Sequence, residues 1–149
     1  LAAIDAVGAM IDTDMVKDTA PVVRALTDAL DTKRLADKAA GALARLGETA
    51  RPALGKVMDL MWGTDNSDYQ MAVARIGGKT VLPQMIEALE HQNSSHRLNA
   101  VKVLFYIGPD AKSAIPALKK LIEKEPVYSV RFFAESVALP HLESGESLW

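Results

Sequence analysis

The chain has 149 residues, of which 49% are hydrophobic but only 5% aromatic, so Ala, Leu, Val, Ile and Met must fill its core. This composition favours closely packed helices over a β-sandwich, which is richer in aromatic and β-branched residues. The formal net charge is -2, and neither half of the chain carries the basic excess of a nucleic-acid binder. The absence of Cys excludes disulfides, thiolate metal sites and Cys nucleophiles. No apolar run reaches the roughly 18 residues that a membrane span requires.

The first segment, residues 1–11, has an apolar pattern that predicts a helix. It has neither an initiator Met nor the basic start of a signal peptide. We therefore interpret the chain as a piece of a longer protein or as a processed one. A cytoplasmic location is favoured, although the parent's targeting signal is not expected within this segment.

Beyond residue 11 the pattern predicts helices in pairs. The first helices of the pairs are expected at 15–30, 49–62, 79–91 and 111–124, and the second helices at 33–46, 66–76, 95–107 and 127–139. Pro140 is expected to end the last helix, and residues 143–149 to form a flexible tail. Small residues on the second helix of the first pair, Ala39, Ala40 and Ala42, should let neighbouring helices approach closely.

Two markers recur with a common period. Pro precedes an apolar helical pattern at four places, at intervals of 31, 31 and 33 residues: Pro21, Pro52, Pro83 and Pro116. Gly follows an apolar residue at the end of three second helices: Gly47, Gly77 and Gly108. Pro is tolerated in a first helical turn, and Gly supplies the left-handed conformation that closes a helix. The two markers therefore predict a helix–turn–helix repeat whose units bury their apolar faces by stacking.

Two segments carry a family resemblance: DTKRLADKAAGALARLGETARPALGKVMDL and SSHRLNAVKVLFYIGPDAKSAIPALKKLIEK. They resemble the short bacterial HEAT-like repeats of the PBS-lyase type, with an Ala-rich second helix ending in Ile-Gly before a Pro-Ala-Leu first helix. The Val-Arg dipeptide of that family is intact at Val130-Arg131, becomes His96-Arg97, and is lost at Leu35-Ala36. The resemblance implies an all-α, right-handed α–α superhelix, a HEAT-like solenoid or armadillo-like helical repeat. It would comprise about four helical hairpins in a domain of residues 1–142, with repeats near 14–47, 48–77, 78–108 and 109–140 after a partial repeat at 1–11.

Residues that could support catalysis or metal binding are sparse. His91 and His96 flank one turn beside Glu90, but a metal site needs three or four ligands, so they are interpreted as surface residues. Ser94 and Ser95 are interpreted as a helix cap, and Asp12, Asp14 and Asp18 as a solvated loop and helix start. We find no phosphate-binding loop, nucleophile elbow or zinc-protease motif. We therefore expect no enzyme activity and no cofactor.

A partner-binding face is predicted on the second helices, where basic residues outnumber acidic ones. The family resemblance places such helices on the concave side of the solenoid, where a basic surface would favour an acidic protein or peptide. The residues assigned to this face are Arg34, Lys38, Arg97, Lys102 and Arg131. For Arg97 and Arg131 we prefer the alternative that each ties its repeat to a neighbouring turn. The adjacent aromatic pairs Phe105-Tyr106 and Phe132-Phe133 should divide between core and surface, because neighbours in sequence point to different sides of a helix.

The function that these patterns favour is a non-catalytic protein–protein interaction or scaffolding module. Two alternatives follow from the resemblance, namely a bilin-lyase-like chromophore-handling protein and a nucleic-acid-binding HEAT-like domain. The charge balance disfavours the second. Nothing in the sequence indicates a membrane partner or an oligomeric state.

Overall fold

The computed structural model describes residues 2–12 and 18–149, and in this part of the chain helices are joined by turns and short irregular segments, with no strand. It contains ten α-helices: α1 (Ala2–Asp12), α2 (Ala20–Ala29), α3 (Ala36–Leu46), α4 (Leu54–Trp62), α5 (Ser67–Gly77), α6 (Leu82–Ala88), α7 (Ser94–Ile107), α8 (Ile115–Lys124), α9 (Tyr128–Phe133) and α10 (Leu139–Ser144). The all-α class and the helical pairing are as predicted. The start expected for α2 at residue 15, and Asp14, lie outside the described residues.

Three of the first helices begin later than predicted, because a 3₁₀ helix precedes each of them. These 3₁₀ helices span Gly47–Ala53, Gly78–Val81 and Gly108–Ala114. Each begins at a Gly with positive φ, at 57°, 51° and 71° respectively. A left-handed residue strains any side chain with a Cβ, so Gly is the residue that allows this turn. The predicted marker Gly77 is wrong: it is the buried last residue of α5, and Gly78 makes the turn.

The end of the last helix is also corrected. Pro140 does not stop it; Pro140 lies in the first turn of α10, where a missing N–H costs little. A π-helical turn, Ala134–Ala138, joins α9 to α10, and Gly145 with φ of 72° ends the helix. Glu143 and Ser144 are therefore helical, although both were assigned to the tail. The final residue is anchored, since the indole N–H of Trp149 donates to the carbonyl oxygen of Tyr106 at 3.1 Å.

The chain divides into two compact units, Leu1–Gly77 and Gly78–Trp149. In the first unit, α3 lies between α1 and α5, with α2 against α3 and α4 against α5. The surface of α3 is dominated by small residues, and Ala39, Ala40 and Ala42 are all buried, as predicted. Alanine at these positions lets the helix approach its neighbours closely on two sides. The second helices α1, α3 and α5 thus form a row.

In the second unit, α7 occupies the central position. It contacts α6 on one side and α9, the π-helical turn and α10 on others, while α8 packs against α10 and the same π-helical turn. Buried Val101, Val103 and Leu104 supply the core side chains of α7. Asn93 caps this helix, because its side-chain oxygen accepts a hydrogen bond from the Ser95 N–H at 2.8 Å. The cap is therefore Asn93 and not Ser94 or Ser95.

Candidate functional site

The five basic residues predicted to form a binding face belong to both units. Arg34 lies exposed in the turn before α3, and Lys38 lies on α3, in the first unit. Arg97, Lys102 and Arg131 lie on α7 and α9 of the second unit. Their surroundings and side-chain contacts differ from one residue to the next.

The side chain of Arg97 is held by hydrogen bonds within its own unit. Its Nε and Nη2 donate to the two carboxylate oxygens of Glu125 at 2.6 and 2.8 Å, and its Nη1 donates to the carbonyl oxygens of His91 and Gln92 at 2.8 and 2.9 Å. The Glu125 side chain is fully buried and that of Arg97 is 13% exposed. Hydrogen bonding to Arg97 lowers the pKa of Glu125 against the opposing effect of burial, and the same contact raises the pKa of Arg97. These contacts support the structural alternative for Arg97, so we remove it from the binding face.

Arg131 and Lys102 have looser contacts. Arg131 is exposed, and its Nη1 donates to the backbone oxygen of Glu125 at 3.2 Å. Lys102 is half-buried, with Nζ 5.6 Å from the centroid of the Phe133 ring, within cation–π range. Phe133 in turn meets Phe105 edge-to-face at 5.7 Å between centroids. The aromatic residues of α7 and α9 therefore join the two helices, while Phe132 remains exposed, as the division between core and surface predicts.

In the first unit the row of second helices is not basic. A shallow groove of about 200 Å³ is lined by one carboxylate from each of α1, α3 and α5, namely Asp5, Asp37 and Asp68, and by the basic residues Lys38 and Arg45. Lys38 is paired with Asp5 at 2.9 Å. The basic second-helix face therefore stays a prediction: this groove carries three carboxylates against two basic side chains, and helix composition does not specify which charges share a side.

Asp37 also organises the start of α5. Its Oδ1 accepts hydrogen bonds from the Tyr69 hydroxyl at 2.8 Å and from the Asn66 side chain at 3.1 Å. Burial, together with the bond to Asp37, raises the pKa of Tyr69 to about 12. Burial first, and then the charge of Asp37, raise the pKa of Asp68. The charges of Asp37 and Asp68 therefore repel each other, beside the hydrogen bonds that Asp37 makes at the start of α5.

A cleft of about 680 Å³ lies between α6 and α8 in the second unit. Its floor is apolar and includes Ile86, Leu89, Ala117 and Leu121. Arg97 and Glu125 also line the cleft. Sequence reasoning missed this cleft because it looked for function on the second helices, and the cleft lies between first helices.

The walls of the cleft carry opposite charges. Glu87 and Glu90 lie on the α6 side, and Lys120 and Lys124 lie on α8. Lys120 Nζ bridges to Glu90 Oε1 at 2.5 Å, and this bond lowers the pKa of Glu90. A signal for this arrangement exists in the sequence: the fourth residue after Pro83 is acidic, whereas the fourth after Pro116 is basic.

His91 and His96 do not form a metal site. Their rings are stacked, with centroids 4.2 Å apart and planes inclined by 12°. The nitrogen lone pairs of an imidazole lie in the plane of its ring. In two stacked, nearly parallel rings these lone pairs do not converge on one point, so the two rings cannot share one ion. Burial and the charge of His91 lower the pKa of His96. Among residues 2–12 and 18–149 there is no group of three or more His, Asp or Glu side chains that could hold a metal.

Comparison of the chain with protein-family models, curated proteins and solved structures gave no match. Over the described part of the chain, no helix combines the length and hydropathy that crossing a bilayer would require. Function must therefore be argued from the surfaces themselves.

Proposed function

We propose that this chain is a non-catalytic protein-interaction module that binds an amphipathic peptide segment in the cleft between α6 and α8. The observation that carries the proposal is the pairing of an apolar floor with walls of opposite charge. Helix-in-groove recognition uses apolar anchors for affinity and flanking charges for orientation. The expected ligand is a helix with an apolar stripe, basic side chains on the edge facing Glu87 and Glu90, and acidic ones on the edge facing Lys120 and Lys124. The Lys120–Glu90 pair is exposed and worth little, so the ligand can replace it with pairs of its own.

This partner differs from the purely acidic one that helix composition predicted. The guanidinium of Arg97 is already paired with Glu125, and the groove on the first unit carries three carboxylates against two basic residues. A ligand carrying both signs fits the cleft better. Because nucleic-acid binding depends on neutralising phosphates with basic residues, a cleft with an acidic wall disfavours that alternative. Chromophore handling remains a competing hypothesis that none of these contacts favours.

For the architecture we propose a right-handed HEAT-like α–α superhelix of about four hairpins after an N-terminal helix. Three observations support it: the row α1, α3 and α5 within the first unit, the recurrence of positive-φ glycines at intervals of 31 and 30 residues, and side-chain ties that join residues about one repeat apart. An experimental structure in which both units follow one common screw would test it. Units related by an unrelated rotation would contradict it.

The binding proposal is tested by selecting helical peptides from a displayed library on the immobilised full chain. Dissociation constants are then measured by fluorescence anisotropy. The double variant Lys120→Glu/Lys124→Glu gives both walls the same sign, and we expect it to weaken the selected peptides at least about tenfold. Replacing acidic residues of a peptide by Lys should recover binding to the variant.

The matched control is Lys112→Glu/Lys119→Glu, which makes the same charge change at exposed residues that do not line the cleft. This control should keep peptide binding within about twofold of the parent chain. Equal affinities for the parent and the cleft variant would place the binding site elsewhere. Failure to select any peptide with an apolar stripe would reject the cleft as a helix-binding groove.

A further inference from the structure

A second surface in the same unit exposes aromatic rings. Tyr128 and Phe132, one turn apart on α9, are 69% and 50% exposed, and their rings stack at 5.8 Å between centroids. Among the residues that the structure describes, the large hydrophobic side chains that are exposed all lie at or beyond residue 128; the others are Leu148 and Trp149. Clustered exposed aromatics are uncommon on a monomer and are typical of interface hot spots.

Two opposite charges lie beside these rings. Arg131 on α9 and Glu135 in the π-helical turn that follows α9 are both exposed, and they lie four residues apart, about one turn, in one continuous helical segment. Glu135 makes no ion pair within the described residues. We call Tyr128, Phe132 and these two charged residues the α9 stripe. It shares no residue with the lining of the α6–α8 cleft.

The order of these groups is self-complementary. When two helices pack face to face about a two-fold axis perpendicular to them, they run antiparallel, and the same edge of each helix meets its copy in reverse order. A stripe that carries Arg at one end of its edge and Glu at the other then satisfies both charges twice. The aromatic rings of the two copies meet at the centre of the contact, where exclusion of water strengthens the flanking pairs.

We propose that the α9 stripe is an isologous contact surface, on which a second copy of this chain docks with its own α9 antiparallel. Arg131 of each copy faces Glu135 of the other, and Phe132 lies near the two-fold axis. A second copy is favoured over an unrelated protein because the charge pattern complements itself. This association is independent of peptide binding in the cleft.

Sedimentation equilibrium on the full chain tests the proposal. The weight-average mass should rise with concentration from 16.1 kDa towards twice that value. Phe132→Ala should weaken association at least about tenfold, as expected for truncation of a central aromatic anchor. Arg131→Glu and Glu135→Arg should each weaken it about tenfold, because each places like charges together twice.

The decisive arm mixes the two charge variants. An Arg131→Glu chain opposite a Glu135→Arg chain has opposite charges at both contacts, so an equimolar mixture should associate more tightly than either variant alone. The double variant Arg131→Glu/Glu135→Arg should likewise recover self-association. Because Arg131 bonds the Glu125 carbonyl, circular dichroism checks folding, and Glu135→Arg serves as the charge test that leaves this bond intact.

The control is Arg24→Glu on α2, an exposed residue of the first unit, which should associate like the parent chain. Three results would overturn the proposal: a parent chain that stays monomeric up to its solubility limit, single charge variants that associate normally, or a mixture that remains monomeric.

Discussion

The two units anchor the start of a second helix by different chemistry. In the first unit, Asp37 on α3 accepts hydrogen bonds from the neutral donors of Asn66 and Tyr69 at the start of α5. In the second, Arg97 on α7 forms a bidentate ion pair with Glu125, just before α9. The first unit lacks the Arg at its Leu35-Ala36 position, where Ala36 is buried.

The anchor can come from neighbouring positions of the first turn and from either residue type, because Asp37 follows Ala36, the residue that corresponds to Arg97. A side chain in the first turn of one second helix contacts residues about 30 positions later in both units. The energetic consequences differ, however. A buried ion pair is costly to break from either side, whereas a neutral hydrogen bond contributes a modest net stabilisation.

The largest effect should follow from breaking the buried pair. Arg97→Ala leaves the fully buried Glu125 carboxylate without its counter-ion and removes the donors to two backbone carbonyls, so we expect a loss of about 3 to 5 kcal/mol in the free energy of unfolding. Urea denaturation followed by circular dichroism at pH 7 measures it. The comparison variant, Lys38→Ala, breaks the Lys38–Asp5 pair, whose side chains are 48% and 58% exposed, and should cost less than about 1 kcal/mol. Similar losses for both variants would contradict the distinction between the units.

Lowering the pH should change the stabilising contributions of Glu125 in the second unit and Asp68 in the first unit in opposite directions. The folded state lowers the pKa of Glu125 through its bonds to Arg97, so the stabilisation from this group is present above the ordinary Glu pKa of 4.5 and is lost as the pH falls below it. Glu125→Gln should cost about 2 kcal/mol at pH 7 and flatten the acid limb of the stability curve. Asp68 has a raised pKa, so its contribution is favourable below 3.8 and is lost as the pH rises.

Asp68→Asn is the matched carboxylate-to-amide change in the first unit. It should leave stability at pH 7 unchanged or slightly higher, because it removes a charge beside Asp37. Thermal unfolding of both variants between pH 3 and pH 7 measures these slopes. An acid limb unaffected by Glu125→Gln would show that other carboxylates control acid unfolding.

Much of the helical pairing could be predicted because its determinants are local. Apolar periodicity located the second helices α5 and α7 to within one residue at either end, and Pro marked the first turns of α6 and α8. The 3₁₀ helices were missed because the apolar pattern does not distinguish a short 3₁₀ segment from the first turn of an α-helix. Where two glycines adjoin, Gly78 rather than Gly77 takes the positive φ. The prediction that the last helix ends at Pro140 was wrong, because a π-helical turn precedes this residue and places it in the first turn of α10.

The candidate site was harder to predict because it depends on which side chains share a surface. The alternative in which Arg97 ties its repeat to a neighbouring turn agrees with its bonds to Glu125 and to the His91 carbonyl, and it follows from the preference of Arg for bidentate pairing. Prediction of the cleft would have required knowing that Glu90 and Lys120, 30 residues apart in sequence, lie next to each other, and helix composition does not give that information. Exposure of Phe132 with partial burial of Phe133 followed from helical geometry, but the stacking of Phe132 on Tyr128 required coordinates.

The smallest effect should come from the neutral anchor of the first unit. Tyr69→Phe removes one hydrogen bond to Asp37 and should cost about 1 kcal/mol at pH 7, several times less than Arg97→Ala. The pKa of Tyr69 is raised to about 12 from an ordinary value of 10.0, so its stabilisation is complete below pH 10 and is lost as the pH rises towards 12. Ultraviolet titration of the phenolate in the parent and the Tyr69→Phe chain should assign the highest pKa to this residue. Tyr128, which is exposed, supplies the matched control through Tyr128→Phe, which should leave that highest transition in place. Ionisation of Tyr69 near pH 10 would mean that Asp37 does not hold the hydroxyl, and the parallel between the two anchors would fail.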